Sequence, residues 1–271
     1  MPATPNIKSN APRADPSMER TSDMQSRDTW YQAIKNGDSN SLREALQSNR
    51  DQLHTLHDAA GATPLHVCFL LDKFELAKVV VEEVARLRPD LNYISLPYFE
   101  GLYVGEICLH IAAANGRLDQ VKYCVEQHFK FFGGEHNKQS MPTRAQAKGA
   151  FFLESGRAYL GQYPYHFAVC GGYLDIMDYL YSHDEECANL QDYLGNTPLH
   201  MAAITDQADV YSHILVKHSS DPAKMNNDKY TPFLLTALLG KANVFERIIE
   251  HRRTENWSYG NLVMYCHDLT E

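Results

Sequence analysis

Histidine is the side chain that titrates nearest neutral pH, and it serves as acid, base or metal ligand. Of the 13 histidines in this chain, four sit in similar surroundings: Thr63-Pro-Leu-His66, Ile107-Cys-Leu-His110, Tyr163-Pro-Tyr-His166 and Thr197-Pro-Leu-His200. Ligation of a metal would need donor atoms converging within about 2 Å of one ion. Equivalent residues of a stacked repeat are held a repeat width apart, so no metal site is expected. The expected role is structural, with each ring bonding the threonine and backbone of its own turn or the next. Thr63, His66, His110, His166, Thr197 and His200 are therefore read as repeat-building residues. Walker A, G-x-S-x-G and H-E-x-x-H patterns are absent from the sequence. No catalytic residue is assigned, and the chain is read as non-enzymatic.

The elements that position these residues recur along the chain. Two weaker copies, Asp28-Thr-Trp-Tyr31 and Thr231-Pro-Phe-Leu234, extend the series to anchors at 31, 66, 110, 166, 200 and 234. The steps between them are 35, 44, 56, 34 and 34 residues. Two residues past each anchor the side chain is small: Ala33, Cys68, Ala112, Ala168, Ala202, Thr236. Six past it stands a turn former: Gly37, Asp72, Gly116, Gly172, Asp206, Gly240. Apolar residues then return at helical spacing, as in VKYCV, IMDYL and VFERII. Threonine caps a helix and proline suits its first turn, where a missing N–H costs nothing. The unit is a helix-turn-helix of about 33 residues resembling the ankyrin repeat, whose signature is T-P-L-H-x-A. One unit cannot bury its apolar face alone, so units stack. The predicted fold class is all-α, a solenoid of six such repeats.

Composition narrows the function classes. The chain has 271 residues and a formal charge of −9, which argues against non-specific nucleic-acid binding. Six cysteines form no C-x-x-C pair and read as thiols of a reduced compartment. The first residues are polar with no apolar leader core. The longest apolar run, PFLLTALLG at 232–240, is about half of what a spanning helix needs.

Two steps exceed the repeat length, and the surplus must leave the stack as loops. Those loops, or fingers, follow the second repeat (about 88–104) and the third (about 129–160). They carry Tyr93, Tyr98, Phe99, Tyr103, Phe131, Phe132, Phe151, Phe152 and Tyr159. Two readings stand together: packing on the solenoid and the neighbouring finger, and a partner-binding surface anchored by aromatics.

Six repeats with aromatic fingers after the second and third resemble the cytosolic N-terminal domain of vanilloid-type TRP (TRPV) channels. Three stretches carry the resemblance: YVGEICLHIAAANGRLDQVKYCVE (103–126), FFLESGRAYLGQYPYHFAVCGG (151–172) and NWSYGNLVMYCHDLTE (256–271). The last resembles the family's post-ankyrin segment leading toward the membrane domain. The resemblance implies a tetrameric, calcium-permeable cation channel, with this chain at the cytoplasmic face of the plasma membrane and the pore beyond residue 271. The Pro-, Ser-, Asn- and Arg-rich start reads as a disordered arm at 1–27 ahead of the repeat domain at 28–251, and the resemblance implies a linker at 252–271, in which Trp257 and Tyr259 couple to the gate. The implied partners are neighbouring channel subunits and other cytosolic proteins, the isolated domain itself being compatible with a monomer. His251-Arg252-Arg253 is read as a basic helix cap, with acidic lipid or calmodulin as the alternative. A freestanding ankyrin adaptor is the other functional reading.

Some members of the family hold ATP on the concave face. Where those members have two lysines, this chain has Ala62 and Val67. Tyr103 is retained, but Glu106 stands for a glutamine and Ala114 for a glutamate. Phosphate is left without a cationic partner, so no cofactor is expected and ATP binding is not.

Overall fold

The computed structural model describes residues 29–132, 141–152 and 158–269. The arm expected at 1–27 lies outside them, as do the finger segments 133–140 and 153–157. Six helix pairs follow one another: α1 Thr29–Asn36 with α2 Ser39–Ser48, α3 Pro64–Leu70 with α4 Phe74–Leu87, and α5 Cys108–Ala114 with α6 Leu118–Phe132. Then come α7 Pro164–Gly171 with α8 Leu174–His183, α9 Pro198–Ile204 with α10 Ala208–Lys217, and α11 Pro232–Leu239 with α12 Ala242–His251. The inner helices touch in chain order, α1 to α3 to α5 to α7 to α9 to α11. One apolar core runs through all six pairs.

The small residues two past each anchor are all buried. A larger side chain there would push adjacent inner helices apart, so the repeat pattern reads out the packing distance. The turn formers six past each anchor all have positive φ: Gly37, Asp72, Gly116, Gly172, Asp206 and Gly240. Aspartate tolerates this left-handed geometry poorly compared with glycine. Asp206 compensates by reaching into the next repeat, where Oδ1 accepts from the Val244 N–H (3.1 Å) and Oδ2 from Asn243 (2.8 Å). Asp72 does the same, accepting from Arg117 (2.5 Å) and Gln120 (3.3 Å).

The first finger folds back on the loop ahead of α3. The Phe99 N–H donates to Gly61 O (3.0 Å) and the Tyr98 N–H to Glu106 O (2.7 Å). Gly61 has φ +82°, and a Cβ there would meet the Glu100 backbone at 2.5 Å. The second finger rests on the first, since the Lys148 and Gly149 N–H groups both donate to Val104 O (2.8 and 2.7 Å). Its base is tied to the stack by Arg144, whose Nε and Nη2 donate to the two oxygens of Asp184 at 2.8 and 2.7 Å. Its tip is a short antiparallel ribbon, β1 Ala150–Phe152 against β2 Ala158–Leu160, in the register Phe151 to Tyr159.

Past α12 the segment expected as a linker is a β-hairpin, β3 Arg253–Tyr259 and β4 Leu262–His267. Tyr259 pairs with Leu262 across Gly260-Asn261, and Gly260 has φ +57°. Glycine first in a two-residue loop suits the right-handed strand twist. The hairpin base is fixed by His267 Nδ1 to Ile249 O (3.1 Å) and by the Arg252 guanidinium 4.4 Å from the Phe233 ring centre.

Candidate functional site

Of the four anchor histidines, His66, His166 and His200 form a ladder between repeats, while His110 Nε2 finds no hydrogen-bond partner among the described residues. In the second repeat, His66 Nδ1 accepts from the Thr63 N–H (3.2 Å) and from the Thr63 hydroxyl (2.7 Å). That leaves the proton on Nε2, which donates to Glu106 O (3.2 Å). His200 repeats the arrangement with Thr197 (3.1 and 2.8 Å) and donates to Tyr230 O (2.9 Å). His166 Nε2 donates to Asn196 O (3.3 Å). Each receiving carbonyl lies two residues before the first residue of the next inner helix. The rings therefore fix both their own helix start and the spacing to the neighbour. Where threonine is missing, so is part of the cap. His110 Nδ1 keeps only the Ile107 N–H (3.0 Å), and His166 Nδ1 finds no hydrogen-bond partner among the described residues.

Burial holds these imidazoles neutral. It pushes His66 down to about 3, and His110, His166 and His200 to about 4. A group that stays neutral to such acidity is a poor proton shuttle at neutral pH.

The aromatic residues assigned to a partner surface divide. Tyr93 and Tyr98 are 4% and 3% exposed, inside the core. Tyr98 packs on His66 with ring centres 4.3 Å apart. Neither ring can reach a partner, which corrects the sequence expectation; the finger folds inward because its loop bonds to Gly61 and Glu106. Phe99 and Tyr103 are half-buried, with Phe99 stacked on His57 at 5.1 Å. Phe131 and Phe132 are exposed at the end of α6. Phe151, Phe152 and Tyr159 lie on the β1–β2 ribbon. In the hairpin, Trp257 is 49% and Tyr259 80% exposed, and Leu262, Val263, Met264 and Tyr265 are exposed beside them. A two-stranded ribbon with apolar groups on view is marginal by itself.

At the two positions compared above with the family's lysines, Ala62 and Val67 are buried apolar groups. Glu106 is buried too, and burial pushes its carboxyl up to about 8. At neutral pH it is largely a neutral acid, the nearest a glutamate comes to the glutamine it replaces.

One constellation escaped sequence reasoning. Asp178 on α8 meets His213 on α10 and His218 just past its end: Asp178 Oδ1 accepts from His213 Nε2 (2.5 Å) and His218 Nε2 (2.9 Å). His218 Nδ1 contacts the buried Tyr165 hydroxyl at 2.6 Å. The three side chains are 35 and 40 residues apart. Such separations carry no local motif, but in a 34-residue repeat they mark neighbours on adjacent outer helices.

The stack of six helix pairs with this histidine ladder defines an ankyrin-repeat protein, and the ankyrin-repeat family, in three copies, matches residues 97–226. The chain is 27% identical over 247 residues to the rat "transient receptor potential cation channel subfamily V member 6", covering 88% of this chain and 30% of that protein. It is 28% identical over 262 residues to mouse member 5 of that subfamily (92% and 34%) and 28% over 222 residues to human member 4 (70% and 24%). The chain is thus an ankyrin-type helical stack, similar over most of its length to these vanilloid-subfamily channel proteins and spanning about a third or less of their length. Among the described residues no helix is long and apolar enough to cross a membrane.

Proposed function

We propose that this chain is the cytosolic assembly and regulatory part of a vanilloid-type, calcium-permeable cation channel, acting as a protein-interaction scaffold without catalytic activity. The observation that carries the reading is the exposed apolar hairpin at the end of a stack similar to cation channels over most of its length. Such a surface invites a covering partner, and the neighbouring subunit of a tetramer is the partner proposed. The exposed Phe131 and Phe132 offer a second patch for the same contact. Transmission toward a gate would run through Trp257 and Tyr259, at the cytoplasmic face of the plasma membrane. ATP is not part of the proposal, since Ala62 and Val67 offer no charge to phosphate.

The test is electrophysiology of the full-length protein carrying Trp257→Ala with Tyr259→Ala, alongside circular dichroism of the 271-residue chain. The expected result is impaired assembly or gating with an unchanged helical spectrum. Wild-type currents and tetramers from the double variant would refute it.

A further inference from the structure

We propose that Asp178, His213 and His218 form a binding site for a divalent transition ion of the zinc class that clamps the fourth and fifth repeats together. The donor atoms of the three side chains all lie within 4.8 Å of one another. Two imidazole nitrogens and one carboxylate oxygen are the ligand chemistry of zinc and its neighbours, not of calcium or magnesium. Tetrahedral zinc at about 2.1 Å from each ligand spaces them about 3.4 Å apart. The nitrogens now stand 2.5 and 2.9 Å from the oxygen. Admitting an ion therefore needs the carboxylate to withdraw by under about 1 Å. Asp178 is free to do so, because its side chain is half exposed while those of His213 and His218 are held in place.

The surroundings support ligation. Metal-bound histidines donate their remote N–H to an oxygen that orients the ring. The Tyr165 hydroxyl stands at 2.6 Å from the remote Nδ1 of His218 and can accept that proton once Nε2 turns its lone pair to the ion. Tyr181 stacks on the same ring with centres 4.2 Å apart and fixes its plane. The exposed side at Asp178 leaves a fourth position for water. The ladder histidines do not converge on one another. His213 and His218 do, because they reach from α10 and from the residue just past its end toward the same carboxylate on α8.

The experiment is titration of the 271-residue chain with zinc by calorimetry and with cobalt(II) by visible absorption, in a Cys266→Ser background that removes the exposed thiol. One equivalent should bind, with the visible bands of tetrahedral cobalt. His213→Ala should abolish both signals, and Asp178→Asn, which keeps the shape and one acceptor, should lower affinity by about 10-fold or more. Tyr165→Phe should weaken binding about 10- to 100-fold while leaving the bands in place. Excess zinc should raise the melting temperature of the parent, and by less that of Asp178→Asn. If His213→Ala fails to fold, Asp178→Asn decides. Absence of saturable binding to the parent, or Asp178→Asn binding zinc as the parent does, overturns the site.

Discussion

Lowering the pH from 7 to 5 should destabilise this protein through its own repeat histidines. Burial depresses His66 to about 3 and His110, His166 and His200 to about 4, against about 6.5 in the unfolded chain. The unfolded state therefore binds the proton first. The stabilisation is complete above about pH 6.5 and is lost as pH falls toward the folded values. At pH 5 each ring accounts for about 2 kcal/mol, so four account for roughly 8. Glu106 runs the other way: its raised folded value means stability gained as the pH falls, about 2 to 3 kcal/mol over the same interval. Asp184, which its Arg144 and Thr143 hydrogen bonds hold low despite burial, and Glu83, held low by Arg86, act below this window. The net loss is about 5 kcal/mol, a large share of the roughly 5 to 15 kcal/mol of an ordinary domain. Urea unfolding followed by circular dichroism at pH 7, 6 and 5 measures it, and the melting temperature should fall by roughly 10 to 20 °C. A His110→Gln variant, weaker at pH 7, should show a pH loss smaller by about 2 kcal/mol. Equal urea midpoints at pH 5 and pH 7, or an unchanged slope in the variant, would refute the reasoning.

Glu106→Gln should stabilise the protein by about 3 kcal/mol at pH 7 and by about 1 at pH 5, since it removes a carboxyl that burial keeps protonated; a pair of urea titrations checks this. Asp206→Ala should cost about 1 to 2 kcal/mol through loss of its bonds to Val244 and Asn243. Asp206→Gly should cost less, because glycine relieves the left-handed backbone, and the ranking of the two melting temperatures is the readout. Thr197→Ala should cost about 1 to 2 kcal/mol in thermal unfolding, because it strips the hydroxyl from both the α9 start and His200.

The stack itself was legible because each requirement of the repeat falls on one residue type at one offset. A small residue at Ala112 or Ala168 and a left-handed turn at Gly116 or Gly172 are local demands, and local demands leave marks in sequence. Even the departure from threonine at Ile107 and Tyr163 foretells the thinner caps of His110 and His166. The hairpin at 253–267 was less legible. Its alternation is broken by the register shift between Glu255 and Trp257, and its strands meet no core that would enforce a pattern. The inward turn of Tyr93 and Tyr98 left no trace either. An aromatic ring suits a core and an interface equally well.

The sequence alone determined the number of repeats, the place of each turn and the structural role of the anchor histidines, since these follow from residue types within one helical hairpin. Which finger aromatics face solvent was decided by tertiary structure, through backbone bonds from residues 98 and 99 to 106 and 61. The meeting of Asp178 with His213 and His218 was decided there as well. Side chains 35 and 40 positions apart become neighbours only when two outer helices are packed side by side, and how far each reaches depends on the rings and hydroxyls wedged beside it.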